Sequence, residues 1–452
     1  MFLLLALMCT ACVAGTDAFP AAASSATARL PLTPANAAKY FAEFTHDCRA
    51  DDGKLWGVSL CGPMLFVDPA THQVVASQAD ADGRLKPAGH GMFTGVMPPD
   101  QIIANTSAWW SGTHWIELLW PVLVNQAMYP ARLIMAHESY HRVQARIVPI
   151  HLVGTNTQLQ TVYGRYTMEL EWRALAAALQ APTAAARRQA VSDALLFRAA
   201  RHHRFPEAQA SEVALMRDEG LAQYTGVMVG EATAAQRKAE ALDLLREGSE
   251  LPSFVRSFAY VSGPAYGLLL NRYRPDWRKQ IVRSKQGLAA MLASALHLNL
   301  AHMPLDTFAA RATHYGGPAL LASENARKAK SDRELAHYRS LLVTGPVLVL
   351  PLEHTRKEFN PRNVLSLGKS GTVYPTLHLF DDWGSIDVEQ GALLAADQPR
   401  LTVSAPSGET VTGTIRGPGW VLKLAPGWRL VPATRKGDFT LRHVTSDATQ
   451  RQ

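Results

Sequence analysis

The stretch Leu133-Ile134-Met135-Ala136-His137-Glu138-Ser139-Tyr140-His141-Arg142-Val143 constrains this chain more than any other part of it. An apolar run leads into two histidines four residues apart, a spacing that places both imidazoles on one side of a helix. The apolar approach to His137 predicts that this helix is buried, which gives polar side chains a dry and rigid base. His137 and His141 can then offer nitrogens to one cation. Glu138, turned by about 100° around the helix axis, can reach a water that the cation acidifies toward a pKa of about 7. Zn2+ is the expected ion, because two imidazoles, one further protein ligand and one open position form a hydrolytic zinc set.

Two downstream segments offer the third ligand. In Arg217-Asp218-Glu219-Gly220-Leu221-Ala222-Gln223-Tyr224, the small residues Gly220 and Ala222 beside Glu219 would let a second helix come close to the first. In Met168-Glu169-Leu170-Glu171-Trp172-Arg173, Glu171 lies on a helix with an apolar face. Both carboxylates stand as candidates, Glu219 ahead of Glu171.

Around this motif the chain changes character several times. Residues 1–18 read as a signal peptide, since no charge occurs in the first fourteen, and 19–33, rich in Ala, Ser and Pro, as a linker. Residues 34–129 form a β-rich subdomain behind a short helix from Thr33 to Phe44. Within it Leu55–Leu60 and Met64–Val67 flank Gly62-Pro63, a turn at Asp68–His72 precedes Val74-Val75, and Thr113–Leu119 reads as a strand. Residues 130–343 are helical, with apolar side chains recurring at three and four. Helix starts are signalled by the capping-box spacings Thr233–Gln236 and Ser331–Glu334, and breaks by Pro206, Pro252 and Pro275. From 346 to 445 short alternating runs such as Arg400–Ser404 and Phe439–Arg442 predict a separate all-β, sandwich-like domain. The expected fold class is α+β.

H-E-S-Y-H followed by E-G-L-A-Q-Y resembles the gluzincin metallopeptidases, the thermolysin-like and aminopeptidase-N-like group, over about residues 113–230. The resemblance implies a zincin-like catalytic domain that hydrolyses peptide bonds, with His137, His141 and Glu219 as zinc ligands and Glu138 as general base. It also implies an oxyanion-stabilising hydroxyl beyond the glutamate, for which Tyr260 and Tyr266 are candidates and Tyr224 a weaker one. The strand before the metal helix, His114-Trp115-Ile116-Glu117-Leu118, would hold an extended peptide by its main chain. The long interval between His141 and Glu219 implies one or two inserted helices. Arg142 stands where the group usually has an uncharged residue. The Gly-x-Met-Glu-Asn signature of aminopeptidase-N-like enzymes is absent, which argues against an aminopeptidase.

Removal of the leader would leave Cys48 and Cys61 of the four cysteines. Their spacing suits a disulfide around a small loop, worth roughly 3 kcal/mol, and a secreted or periplasmic location. Cys9-Thr10-Ala11 is a poor approach to Cys12, so a lipid anchor is disfavoured. No later run is apolar for long enough to span a bilayer. The formal net charge of +7, from 45 Lys and Arg against 38 Asp and Glu, is dispersed, and the tryptophans from Trp109 to Trp120 lack adjacent cations. Nucleic acid is therefore not an expected partner. Expected partners are a peptide or protein substrate and, for the C-terminal β domain, a protein or glycan. The alternative reading is a non-catalytic zincin-like scaffold with a structural or vestigial metal site.

Overall fold

The computed structural model describes residues 30–98, 101, 103–125, 130–148, 155–359, 364–408 and 410–444. The expected signal peptide, Cys9 and Cys12 lie outside them. The chain has an α+β layout in two compact units, Met1–Ile147 and Val148–Gln452. No described helix is long and apolar enough to cross a membrane.

The first unit opens with α1 (Pro34–Asp51), started by Thr33, whose side chain accepts from the Asn36 amide. Helix α1 outruns its expected end at Phe44 and stops where Asp52 turns left-handed. Leu55–Leu60, expected as a strand, is a series of turns instead. Local bonds there take up the main chain, with Gly57 N donating to Gly53 O and Leu55 N to Asp51 Oδ1.

Strands β1 (Met64–Val67), β2 (Gln73–Ala76), β3 (Lys86–Pro87), β4 (Phe93–Val96), β5 (Thr106–Trp110) and β6 (Thr113–Leu119) form one sheet in the order β3-β4-β2-β1-β6-β5. Only the β1–β6 pair is parallel among these. One face buries Leu65, Val67, Val74, Trp110 and Trp115. On the other, Phe66 stacks on Phe41 of α1, ring centroids 4.2 Å apart. Helices α2 (Trp120–Asn125) and α3 (Ala131–Ile147) follow. The division after Ile147 leaves α3 with the sheet rather than with the helices beyond it.

In the second unit come α4 (Val162–Gln180), α5 (Ala184–Arg204), α6 (Ala208–Leu215), α7 (Leu221–Gly230), α8 (Ala234–Gly248) and α9 (Ser257–Tyr273). Four more follow, α10 (Trp277–Arg283), α11 (Leu288–Ala295), α12 (Phe308–His314) and α13 (Gly317–Arg339). The capping box at Thr233 starts α8 as expected. Ser331–Glu334 lies inside α13, because no Gly or Pro interrupts that helix before Gly345-Pro346. A five-residue π-helical turn at Ser340–Thr344 ends the helical part. Beyond it a seven-stranded and a five-stranded sheet share one apolar core containing Leu348, Leu350, Leu379, Ile386 and Leu422. Arg400–Ser404 and Phe439–His443 are strands of it, as their alternation predicts. Tyr338 of α13 and Leu342 pack against Leu367, Val373 and Leu393, so the sandwich is joined to the helices by a core of its own.

Helices α4 and α13 are tied by buried charges. The Arg165 guanidinium donates to both oxygens of Glu324 at 3.0 Å and lies over the Phe254 ring. Glu169, one turn along α4, is pushed up to about 7 by burial and by the neighbouring Glu324 carboxylate. A carboxyl whose folded pKa exceeds its usual 4.5 contributes stability that is complete below that value and is lost as pH rises through about 7. Thermal melts from pH 4 to 9 should therefore show the wild-type midpoint falling across this window while Glu169→Gln stays flatter. Parallel profiles would contradict the assignment.

Candidate metal centre

Helix α3 carries the histidine pair. Its face from Leu133 to Tyr140 is buried throughout, and His137 and Glu138 are only 5 % and 7 % exposed. The Nε2 atoms of His137 and His141 lie 3.1 Å apart. His141 Nδ1 donates to Gln144 Oε1 at 2.7 Å, a bond that leaves the lone pair on Nε2. Around a tetrahedral ion with metal–nitrogen bonds of about 2.0–2.1 Å, two ligand nitrogens sit roughly 3.3 Å apart. The pair has that bite without rearrangement.

The helix is held at both ends by the same part of the unit. Near its start Arg132 forms a two-pronged ion pair with Asp47 of α1, both bonds 2.6 Å. Near its end Arg142 donates to the Cys61 carbonyl at 2.7 Å. Cys48, at the end of α1, and Cys61 are joined as a disulfide with Cα atoms 5.3 Å apart. A Cβ on Gly62 would come within 2.4 Å of the Arg142 guanidinium, so glycine is required for this clasp. The charge at Arg142 therefore has a structural use, bracing the metal helix against the disulfide loop.

Glu219 lies in a π-helical turn, Met216–Gly220, between α6 and α7. Such turns insert one extra residue and re-aim the side chains beside them. Arg217 fixes the segment by donating to the Gln286 and Ile281 carbonyls. Glu219 is 7 % exposed, and Arg256 donates to its Oε1 at 2.7 Å. Gly220 meets α9 here, where a Cβ on Gly263 would come within 2.2 Å of the Gly220 carbonyl. The small residues beside Glu219 thus serve a crossing with α9 in this unit.

His137 and His141 of α3, in the first unit, offer two imidazole nitrogens, and Glu219, in the second, offers a buried carboxylate. Two imidazoles and a carboxylate fit zinc chemistry. Glu353, His354 and Asp382, each exposed on the β-sandwich, offer three ligand atoms within 4.8 Å of one another, a further group that could hold a metal ion.

Glu171 belongs elsewhere. It is completely buried, with Arg201 at 2.7 Å, Arg198 at 3.4 Å and the Tyr266 hydroxyl donating to its Oε1 at 2.7 Å. Glu212 closes the network through Arg201, Arg198 and His202. Burial works against the Glu212 charge, yet Arg201 and Arg198 hold its carboxyl well below the usual range. Both of Glu171's oxygens are spent on guanidinium and phenol donors, which removes it as a metal ligand. The same bond removes Tyr266 as an oxyanion donor, and burial followed by the Glu171 charge raises its phenol further. Tyr224 is committed too, donating to Asn271 and accepting from Arg278. Tyr260 is a partly exposed residue of α9. The network, with its four charged groups on α4, α5 and α6, left no mark in the sequence beyond Arg and Glu at helical spacing.

The strand His114–Leu118 is interior, paired with β1 on one side and β5 on the other. Its main chain is occupied, and among the described strands β5 beside it is the edge of the sheet. Trp109 of β5 is 71 % exposed and stacks flat on His114, whose basicity is lowered by burial and by the Arg142 charge.

No protein-family model matches the chain, and no curated protein or solved structure matches it.

If Glu171 is structural, Glu171→Ala should leave metal content unchanged while costing about 3–5 kcal/mol through unpaired buried arginines. Tyr266→Phe should cost about 1–2 kcal/mol and leave both metal content and any hydrolysis intact. Loss of metal in either variant, measured by atomic emission against denaturant melts, would return Glu171 to the site.

Proposed function

We propose that the protein is a zinc-dependent peptidase that works outside the cytoplasm, with His137, His141 and Glu219 as ligands and Glu138 as general base. The observation that carries this reading is the 3.1 Å approach of two imidazole nitrogens on a buried helix, one of them held in the lone-pair tautomer by Gln144. Zinc, when bound, supplies a Lewis acid that polarises a scissile carbonyl and acidifies water. Glu138 takes the proton from the attacking water and delivers it to the departing amine.

In this reading Arg256, by donating to one oxygen of Glu219, fixes the ligand's direction. The outer edge of β5, which no described strand pairs, suits an extended peptide, which would add to the sheet by main-chain hydrogen bonds. The Cys48–Cys61 disulfide is compatible with an oxidising compartment.

The Arg256–Glu219 ion pair also favours a second reading, in which the carboxylate serves Arg256 and the protein is a non-catalytic scaffold whose β-sandwich binds a protein or glycan. The two part on one experiment. Glu138→Gln should bind zinc as the wild type does and lose peptide hydrolysis by about 10²- to 10⁴-fold, whereas His141→Ala should lose zinc. Undiminished turnover in Glu138→Gln, or no turnover in a zinc-loaded wild type against a broad peptide pool, would sink the peptidase.

A further inference from the structure

Away from the histidine helix, α4 and α8 leave a cleft between them. Its inner end, about 230 Å³, is lined by Glu169, Trp172, Arg173, Leu245, Arg246 and Ser249. It shares Trp172, Arg173, Leu245 and Arg246 with an outer groove of about 410 Å³ between the same helices. Trp172 and Leu245 make an apolar floor, and Trp172 is fixed there by its indole N–H, which donates to Ser262 at 2.8 Å.

The polar groups of this cleft differ in how far they are satisfied. Arg173 donates to the Tyr315 carbonyl, and Arg246 donates to Asp243 and Glu247. Glu169 is served less fully, with the Glu324 carboxyl as its hydrogen-bonding neighbour. Its residue is 4 % exposed, no described residue hydrogen-bonds its Oε1, and Arg165 stands 3.8 Å away while serving Glu324. A buried carboxylate oxygen without a donor is costly, and what it lacks is an N–H or O–H group. Asp243 of α8 adds a carboxylate to the outer groove, where Arg246 donates to it.

We propose that this cleft binds a primary ammonium group carried on an unbranched apolar chain, with the nitrogen donating to Glu169 and the chain lying on Trp172 and Leu245. The chemistry is shared by a free alkylamine and by a lysine side chain. An ammonium brings three donors and a positive charge, where a carboxylate ligand would bring only acceptors to a position already short of donors. The volume limits the occupant to a small group. The assignment is independent of the histidine helix and would stand if the peptidase reading fell.

Isothermal titration of the full chain tests it with n-hexylamine, hexan-1-ol, hexanoate and Nα-acetyl-lysine methylamide. Hexylamine should bind roughly 10- to 100-fold more tightly than hexanol or hexanoate, the gain expected of one charge-assisted hydrogen bond. Tighter binding of the lysine derivative than of hexylamine assigns the site to a lysine side chain, and the reverse order assigns it to a free amine. Glu169→Gln, which keeps the side chain's shape and removes its charge, should abolish the preference for the amines. Ser249→Phe, which fills the inner end, should weaken them without changing the fold seen by circular dichroism. Equal or better binding of hexanoate, an unchanged preference in Glu169→Gln, or no detectable binding of either amine would overturn the proposal.

Discussion

Two imidazole nitrogens 3.1 Å apart demand something between them. If both present lone pairs, they repel at that distance; a proton shared along the line, or a cation accepting from both, turns the repulsion into attraction. Gln144 settles half of the question by taking the Nδ1 proton of His141, which points the lone pair of that ring at His137. The remaining half is met by a proton on His137 or by an ion. In the reading proposed above it is met by an ion, beside which Glu138, more than nine-tenths buried on the same helix, would act.

The scaffold keeps that pair from relaxing. A lone helix could shift by a fraction of a turn to separate its rings. Helix α3 is pinned by Arg132 to Asp47 and by Arg142 to the Cys61 carbonyl, and the two anchor points lie next to the two ends of one disulfide. In the second unit Arg201 and Arg198 tie Glu212 of α6 to Glu171 of α4 just before the turn that carries Glu219. Buried ion pairs of this kind give little net stability but penalise any arrangement that separates the partners. Their use here is to fix geometry.

Much of this is visible in the residues. The histidine spacing announces a helix because only a 3.6-residue period brings positions 137 and 141 together, and the alternation at Arg400–Ser404 announces a strand for the corresponding reason. What stays hidden depends on partners distant in sequence. Glu171 and Glu219 look alike as glutamates on helices, and only the packing of α5 against α4 shows that one of them is claimed by two arginines. The small residues after Glu219 correctly signal a close crossing, but nothing local says that its partner is Gly263. The strand at His114–Leu118 is legible as a strand, whereas its interior place depends on β1, nearly fifty residues earlier.

The most direct test of the account is X-ray absorption at the zinc edge of protein loaded with one equivalent of zinc and dialysed. The account expects two imidazoles at about 2.0–2.1 Å with oxygen ligands completing a four-coordinate shell, reduced to one imidazole in His141→Ala. A zinc-free protein after dialysis, or a shell without imidazole scattering, would contradict it.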